Sequence, residues 1–177
     1  MAADAQGNDI GAVPIPVTGF AAVNFSNATV PALADLTADS LPSGFTYLGL
    51  YVQDGGYAEE SEPGESIEFF QQGYSLKGGD ESIKGTITFA EDSSLLRQML
   101  GFSSGNSGVR KSTVKAGAFG LIIATTFKNG KTLIRGGVAS VDDGARSQEK
   151  RGEVSTMDIT FKWKWHTDTG FYRFKVV

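Results

Sequence analysis

Between Met157 and Trp165 every odd-numbered residue is apolar (Met157, Ile159, Phe161, Trp163, Trp165), while Asp158, Thr160, Lys162, Lys164 and the following His166 are polar. Side chains alternate faces along a strand, so this period of two predicts a long amphipathic β-strand that buries an aromatic face and turns a charged one to water, a lumen or a partner. Ser82 to Ala90 repeats the pattern, with Ile83, Ile87 and Phe89 against Lys84, Thr86 and Thr88. Ser66 to Leu76 reads as its hairpin partner through Lys77-Gly78-Gly79-Asp80. Phe45 to Val52 reads as a short strand. The acidic stretch after it, Glu59, Glu60, Glu62 and Glu65 around Pro63-Gly64, reads as a long loop.

Helical spacing occurs once. Leu95, Leu96, Met99 and Leu100 recur at helical intervals behind Asp92-Ser93-Ser94, residues that cap free backbone N–H groups, and Gly101 marks the stop. Phe102 to Gly117, rich in Ser and Gly with Arg110, Lys111 and Lys115, reads as a basic loop. Phe119 to Phe127 and Lys131 to Val141 form a second hairpin around Asn129-Gly130, a pair that tolerates positive φ. Asp142 to Gly152 is a charged connection, and Phe171 to Val177 is expected to return antiparallel to the aromatic strand. At the other end, Val13-Pro14-Ile15-Pro16-Val17 cannot be helical. Residues 1–40 are therefore expected as an extended arm, whose apolar side chains favour docking on a neighbouring surface.

The resulting class is mainly β: a β-sandwich or half-barrel of about seven to eight antiparallel strands with one flanking α-helix and an extended N-terminal arm, residues 41–177 forming the sandwich. At 177 residues the chain can bury a core without disulfides, and it has no cysteine. Its 23 glycines are well above the ordinary share and agree with many turns and bulges. A formal charge of −4 argues against tight binding to phosphate backbones, which takes clustered Lys and Arg. No basic, apolar leader opens the sequence and no long apolar run interrupts it, so neither secretion nor a membrane span is expected.

Candidate chemistry is sparse. Gly130-Lys131-Thr132 has the ending of a phosphate-binding loop, but Thr125 stands where that motif needs its first glycine. His166 is the only histidine and has no cysteine to share a zinc site. Carboxylates at Glu59, Glu60, Glu62, Glu65, Asp142 and Asp143 crowd segments of like charge and read as solvated surface rather than a hydrolytic pair. No catalytic, cofactor-binding or metal site is assigned, and an enzyme is not expected.

The order of parts resembles the major tail proteins of long-tailed bacteriophages, the subunits of the tail tube. The resemblance is carried by an extended arm first, then Phe45-Thr-Tyr-Leu-Gly-Leu-Tyr-Val52, the acidic loop and Ile67-Glu-Phe-Phe-Gln-Gln-Gly-Tyr74, Gly85-Thr-Ile-Thr-Phe-Ala-Glu-Asp92, the helix with Leu95-Leu96 and Met99-Leu100-Gly101, the hairpin, and the closing strand Met157 to His166. It spans residues 41 to 177. It implies a virion structural protein, made in the host bacterial cytoplasm, that self-assembles into stacked hexameric rings. Its partners would be copies of itself, a tape-measure protein and tail-tip or terminator proteins, with DNA passing through the lumen without specific binding. Long two-faced strands could then pair edge to edge between subunits. The assembly surface expected on these grounds comprises Pro14, Ile15, Pro16, Val17 and Phe20 from the arm and Glu59, Glu60, Glu62 and Glu65 from the acidic stretch. Lys162, Lys164 and His166 would make a lumen-facing last strand basic, so they are expected to be neutralised by neighbours or turned outward. Two other readings compete: a monomeric β-sandwich that binds carbohydrate through exposed aromatics, and the tube protein of a contractile injection system.

Overall fold

The computed structural model describes residues 13–52, 55–64, 66–68, 73, 75–77, 81–102, 109 and 117–177. The chain is mainly β. Eight strands form one antiparallel sheet: β1 (Pro16–Asn24), β2 (Thr46–Tyr47), β3 (Ala58–Glu62), β6 (Ser82–Phe89), β7 (Phe119–Phe127), β8 (Thr132–Arg146), β9 (Met157–Trp163) and β10 (Tyr172–Val176). Between β3 and β6, β4 (Ser66–Glu68) and β5 (Ser75–Lys77) pair as a separate two-stranded sheet. One helix, α1 (Ser94–Met99), follows β6.

The long strand β8 organises the molecule. Its first half pairs with β7 on one edge and β10 on the other, and its second half pairs with β9, which continues to β6 and β3. A bulge between Val141 and Asp143 separates the halves. The extra residue lets Asp142 and Asp143 stay exposed while Gly144 turns inward against Leu100 of the helix end. The sheet curls, and β1–β7 and β6–β9 enclose one core in which Ala21, Val23, Leu121 and Ile123 meet Ile87, Phe89, Ile159 and Phe161. Phe119 and Phe161 touch edge to face across it, 6.3 Å between centroids. Leu96, Met99 and Leu100 close the side. A smaller cluster lies on the opposite face of β7 and β8, where residues 31–45 wrap over Ile122, Ala124 and Ile134 and drop Leu36 onto Gly136.

The helix start and the second hairpin follow expectation. Ser93 Oγ accepts the Leu96 N–H at 3.2 Å, and Gly101 ends the helix at a φ of 79°. At Asn129-Gly130 only Gly130 has positive φ, so the connection is a type I turn followed by a left-handed glycine, closed by Gly130 N–H on Phe127 O at 2.9 Å.

Other expectations are corrected. Glu59, Glu60 and Glu62 do not lie in a loop: Ala58–Glu62 is β3, antiparallel to β6 at the margin of the sheet. Both its faces are exposed, so no apolar alternation marks it, and its charges blunt an open edge. β6 consequently pairs with β3 and β9, not with the 66–76 segment. Within Phe45–Val52 only Thr46–Tyr47 is strand, besides a bridge from Tyr51 to Phe89. β8 runs on to Arg146, because charged Asp142 and Asp143 sit in its bulge. β10 does not return along β9. It continues in the same direction on the same edge of β8, since the chain loops out after Lys164, whose N–H still bonds Val138 O at 2.8 Å, and re-enters at Tyr172 opposite Gly137. Most of the expected basic loop at 102–117 lies outside the described residues.

Candidate assembly surfaces

β1 comes from the segment expected as an arm. It is extended, as Pro14 and Pro16 require, and pairs with β7 and β2 of its own chain, with Ala21, Ala22 and Val23 buried. The residues leading into it stay open. Pro14, Ile15 and Pro16 are exposed, and Val17, displaced by the irregularity between Pro16 and Thr18, is 65% exposed. Phe20 is half-buried edge to face against Tyr47. Beside them Leu50, 71% exposed, borders a groove of about 590 Å³ lined by Val17, Phe20, Tyr47, Tyr51 and Tyr57. The margin of β1 and β2 is thus apolar.

The other margin of the same layer is β10. Val177 and Thr132 exchange both backbone bonds, at 3.0 and 2.8 Å. By the alternation of an antiparallel ladder, the backbone N–H and C=O groups of Tyr172, Phe174 and Val176 therefore point away from β8. They face an open edge among the described residues. Phe174, 64% exposed, and Val176 put apolar side chains there, whereas Arg173 and Lys175 point to the other face and donate to Pro31 O and Leu33 O. Sequence reasoning overlooked Phe174, Val176 and Leu50. The alternation of Tyr172, Phe174 and Val176 with Arg173 and Lys175 was the available signal for β10.

The acidic residues do three different things. Glu59 is the hub of a network that ties β3 to β8, β9 and β10. It accepts from Tyr57 Oη at 2.7 Å and Tyr172 Oη at 3.0 Å and pairs with Arg135 Nε at 3.6 Å. Tyr57 Oη in turn accepts the Trp163 indole N–H at 3.0 Å, and the Arg135 guanidinium lies 4.8 Å over the Tyr57 ring. Burial pushes the Tyr57 phenol far above its ordinary range. Glu62 accepts from Ser82 Oγ and Lys84 Nζ, bonds that hold its carboxyl below the usual carboxylate range. Lys84 also pairs with Asp142 at 3.2 Å, and that bond, with the one to Glu62, raises its pKa. Glu60 is exposed. Glu65 lies outside the described residues. Glu59 is thus tied within the subunit to Tyr57, Tyr172 and Arg135, and Tyr57 also lines the groove beside Val17 and Phe20.

The polar face of β9 is partly neutralised. Thr160 bonds Thr86, and Asp158 accepts from Thr88 Oγ1 at 2.6 Å. Lys162 stands beside Lys84 in register, but Lys84 alone carries the ion pairs to Glu62 and Asp142. His166 is exposed in the loop after β9, its Nδ1 accepting the Asp168 N–H at 3.3 Å. Among the described residues no group of three or more His, Cys, Asp or Glu side chains could hold a metal ion. No helix among them is long and apolar enough to cross a membrane. Compared with known proteins, the chain matches no family model and none of the curated proteins searched.

Proposed function

We propose that this protein is a structural subunit that assembles with copies of itself into hexameric rings, stacked as the tail tube of a bacteriophage virion. The carrying observation is the pair of apolar margins on one layer: Val17, Tyr47 and Leu50 at β1–β2, and Phe174 and Val176 at the open edge of β10. Unlike margins on opposite sides of one subunit favour head-to-tail association, which closes into a ring when the rotation permits. An apolar edge strand left in water is an aggregation hazard, and pairing with the next copy removes it. The mainly-β sheet with one short helix agrees with the family resemblance. Six copies at −4 each give −24 per ring, a net charge compatible with a duplex sliding past. Tape-measure and tail-tip or terminator proteins are the further partners of this reading.

Negative-stain microscopy of the concentrated protein, with its mass in solution, tests the proposal. Hollow tubes or rings of uniform width are expected. Phe174→Lys combined with Val176→Lys should abolish them while leaving the unfolding midpoint nearly unchanged, since both side chains are exposed. A protein that stays monomeric even when offered tail tips as templates would overturn the reading.

A further inference from the structure

The outer edge of β1 is covered for only part of its length. β2 runs beside its second half, Tyr47 against Ala22 and Thr46 against Val23, and Leu48 N–H donates to Ala21 O at 2.9 Å. Continued, that register would bring Leu50 beside Gly19. Instead Gly49, at a φ of 132°, turns the chain away: Leu50 N–H donates to Glu91 Oε2 at 3.1 Å, and Leu50 O accepts the Ala90 N–H at 2.8 Å. Ala21 faces β2, so by alternation Gly19 also points its N–H and C=O away from β7, to a stretch of edge that no strand meets among the described residues. The groove of about 590 Å³ lies along this stretch, with Gly19, Tyr51, Tyr57 and Thr125 toward the core side and Phe20 and Tyr47 toward the other.

The edge of β10 is its complement. Phe174 directs its backbone N–H and C=O outward, and its register with Arg135, which packs over Tyr57, puts its ring on the core-side face of the sheet. Gly19, in register with Thr125, belongs to the same face. A Cβ at Gly19 would stand 2.7 Å from Ala124 O and 3.4 Å from Tyr51 Cε2, so the position stays bare. An aromatic ring on the adjoining strand covers a bare glycine of this kind. We infer that β10 of one copy pairs antiparallel with β1 of the next, Phe174 directly opposite Gly19 and its ring in the groove against Tyr51 and Tyr57. The inference rests on the assembly reading above and names the contact that joins neighbours in a ring. The pairing is short, because Leu48 closes the edge at Ala21 and Pro16 has no N–H to offer. Two backbone bonds between Gly19 and Phe174 fix the register, and burial of an exposed ring supplies most of the attraction. Two copies of β10 pairing with each other would bring Phe174 to an edge with neither glycine nor groove, so the head-to-tail contact is favoured.

Disulfide trapping in the full chain tests the contact, since the protein has no cysteine of its own. In the inferred register Thr18 faces Lys175 as a non-hydrogen-bonded pair, with Cα atoms about 4.5 Å apart, a separation that a disulfide spans. Thr18→Cys and Lys175→Cys should each stay uncross-linked alone and give disulfide-linked pairs when mixed at assembling concentration and mildly oxidised. The double variant should give a ladder of species ending at a covalent hexamer. Phe174→Ala should raise the concentration needed for assembly about tenfold or more, with the unfolding midpoint unchanged. Microscopy of the same samples separates the two claims. Rings without the mixed cross-link, or cross-linking of Lys175→Cys alone, would overturn the contact and leave the tube. The mixed cross-link without rings would bear out the contact and overturn the closed ring, and the absence of both would overturn both.

Discussion

Gly85 in β6 lies directly beneath the Tyr57 ring, and a methyl group there tests whether the Glu59 network holds the curled sheet together. A Cβ on Gly85 would overlap Tyr57 Cε2 and stand 2.6 Å from its Cζ and Oη, so the ring must move. Moving it strands the buried Trp163 N–H, at about 1–3 kcal/mol, and loses a hydrogen bond to the charged Glu59, at about 1.5–3 kcal/mol. The contact with Arg135 adds roughly 0.5–1 kcal/mol. Relaxation of the ring into the half-exposed margin recovers part of this, and alanine is itself favoured over glycine within a strand by about 0.5–1 kcal/mol. A net loss of about 3 kcal/mol is expected for Gly85→Ala by guanidinium denaturation. With Tyr57→Ala already in place the obstacle is gone, and Gly85→Ala should be neutral or slightly stabilising. The coupling in the double-mutant cycle is therefore about 3 kcal/mol. Equal effects of Gly85→Ala in both backgrounds, or a loss below about 0.5 kcal/mol with Tyr57 present, would refute the argument.

Ser93→Ala removes both the cap on Leu96 N–H and the bond from Ser93 Oγ to Leu48 O, so a loss of about 1–2 kcal/mol is expected in chemical denaturation. Asp92, whose carboxyl is held low first by its hydrogen bond from Arg97 and further by Arg146, stabilises the fold at pH values above the unfolded carboxylate range. That contribution is lost as pH falls through the depressed folded pKa, so Asp92→Asn should lower the denaturation midpoint at pH 6 more than at about pH 3. Tyr51 Oη is buried with no hydrogen-bond partner among the described residues, so Tyr51→Phe should leave stability at pH 7 unchanged or raise it by about 1 kcal/mol. Burial also raises the Tyr51 phenol, which stays neutral in the folded state while the unfolded chain ionises near pH 10. Stability should accordingly decline above about pH 10, less steeply in Tyr51→Phe, as thermal midpoints would record.

Strands with one buried face were legible because burial writes the period of two into the sequence: β6 and β9 carry it, and the helix start was legible from Ser93. Pairing was less legible. β3 has no buried face, so its glutamates resemble a loop, and β6 reaches across 74 residues from Thr86 to Thr160 rather than to the segment before it. The bulge hid the far half of β8, since two aspartates in succession break the alternation that the bulge itself restores. At the candidate surface, Ile15 and Val17 were readable as apolar residues beside prolines. Glu59 was not readable as a network hub, because its partners Tyr57, Arg135 and Tyr172 meet only after the sheet curls.

The sharing of β8 by both halves of the sheet bears on how the protein reaches its native state. β1 waits for β7 about a hundred residues later in the chain, β6 waits for β9, and β10 settles on β8 last in sequence order. Such distant pairings give a high contact order, which places folding among the slow β-topologies. On the ribosome neither half can close early: until β9 emerges, β6 lacks its inner neighbour and the aromatic core stays open. The open edge of β10 comes into being only with the final strand. Vectorial synthesis thus delays association through the β10 edge until β8 and β9 have been made.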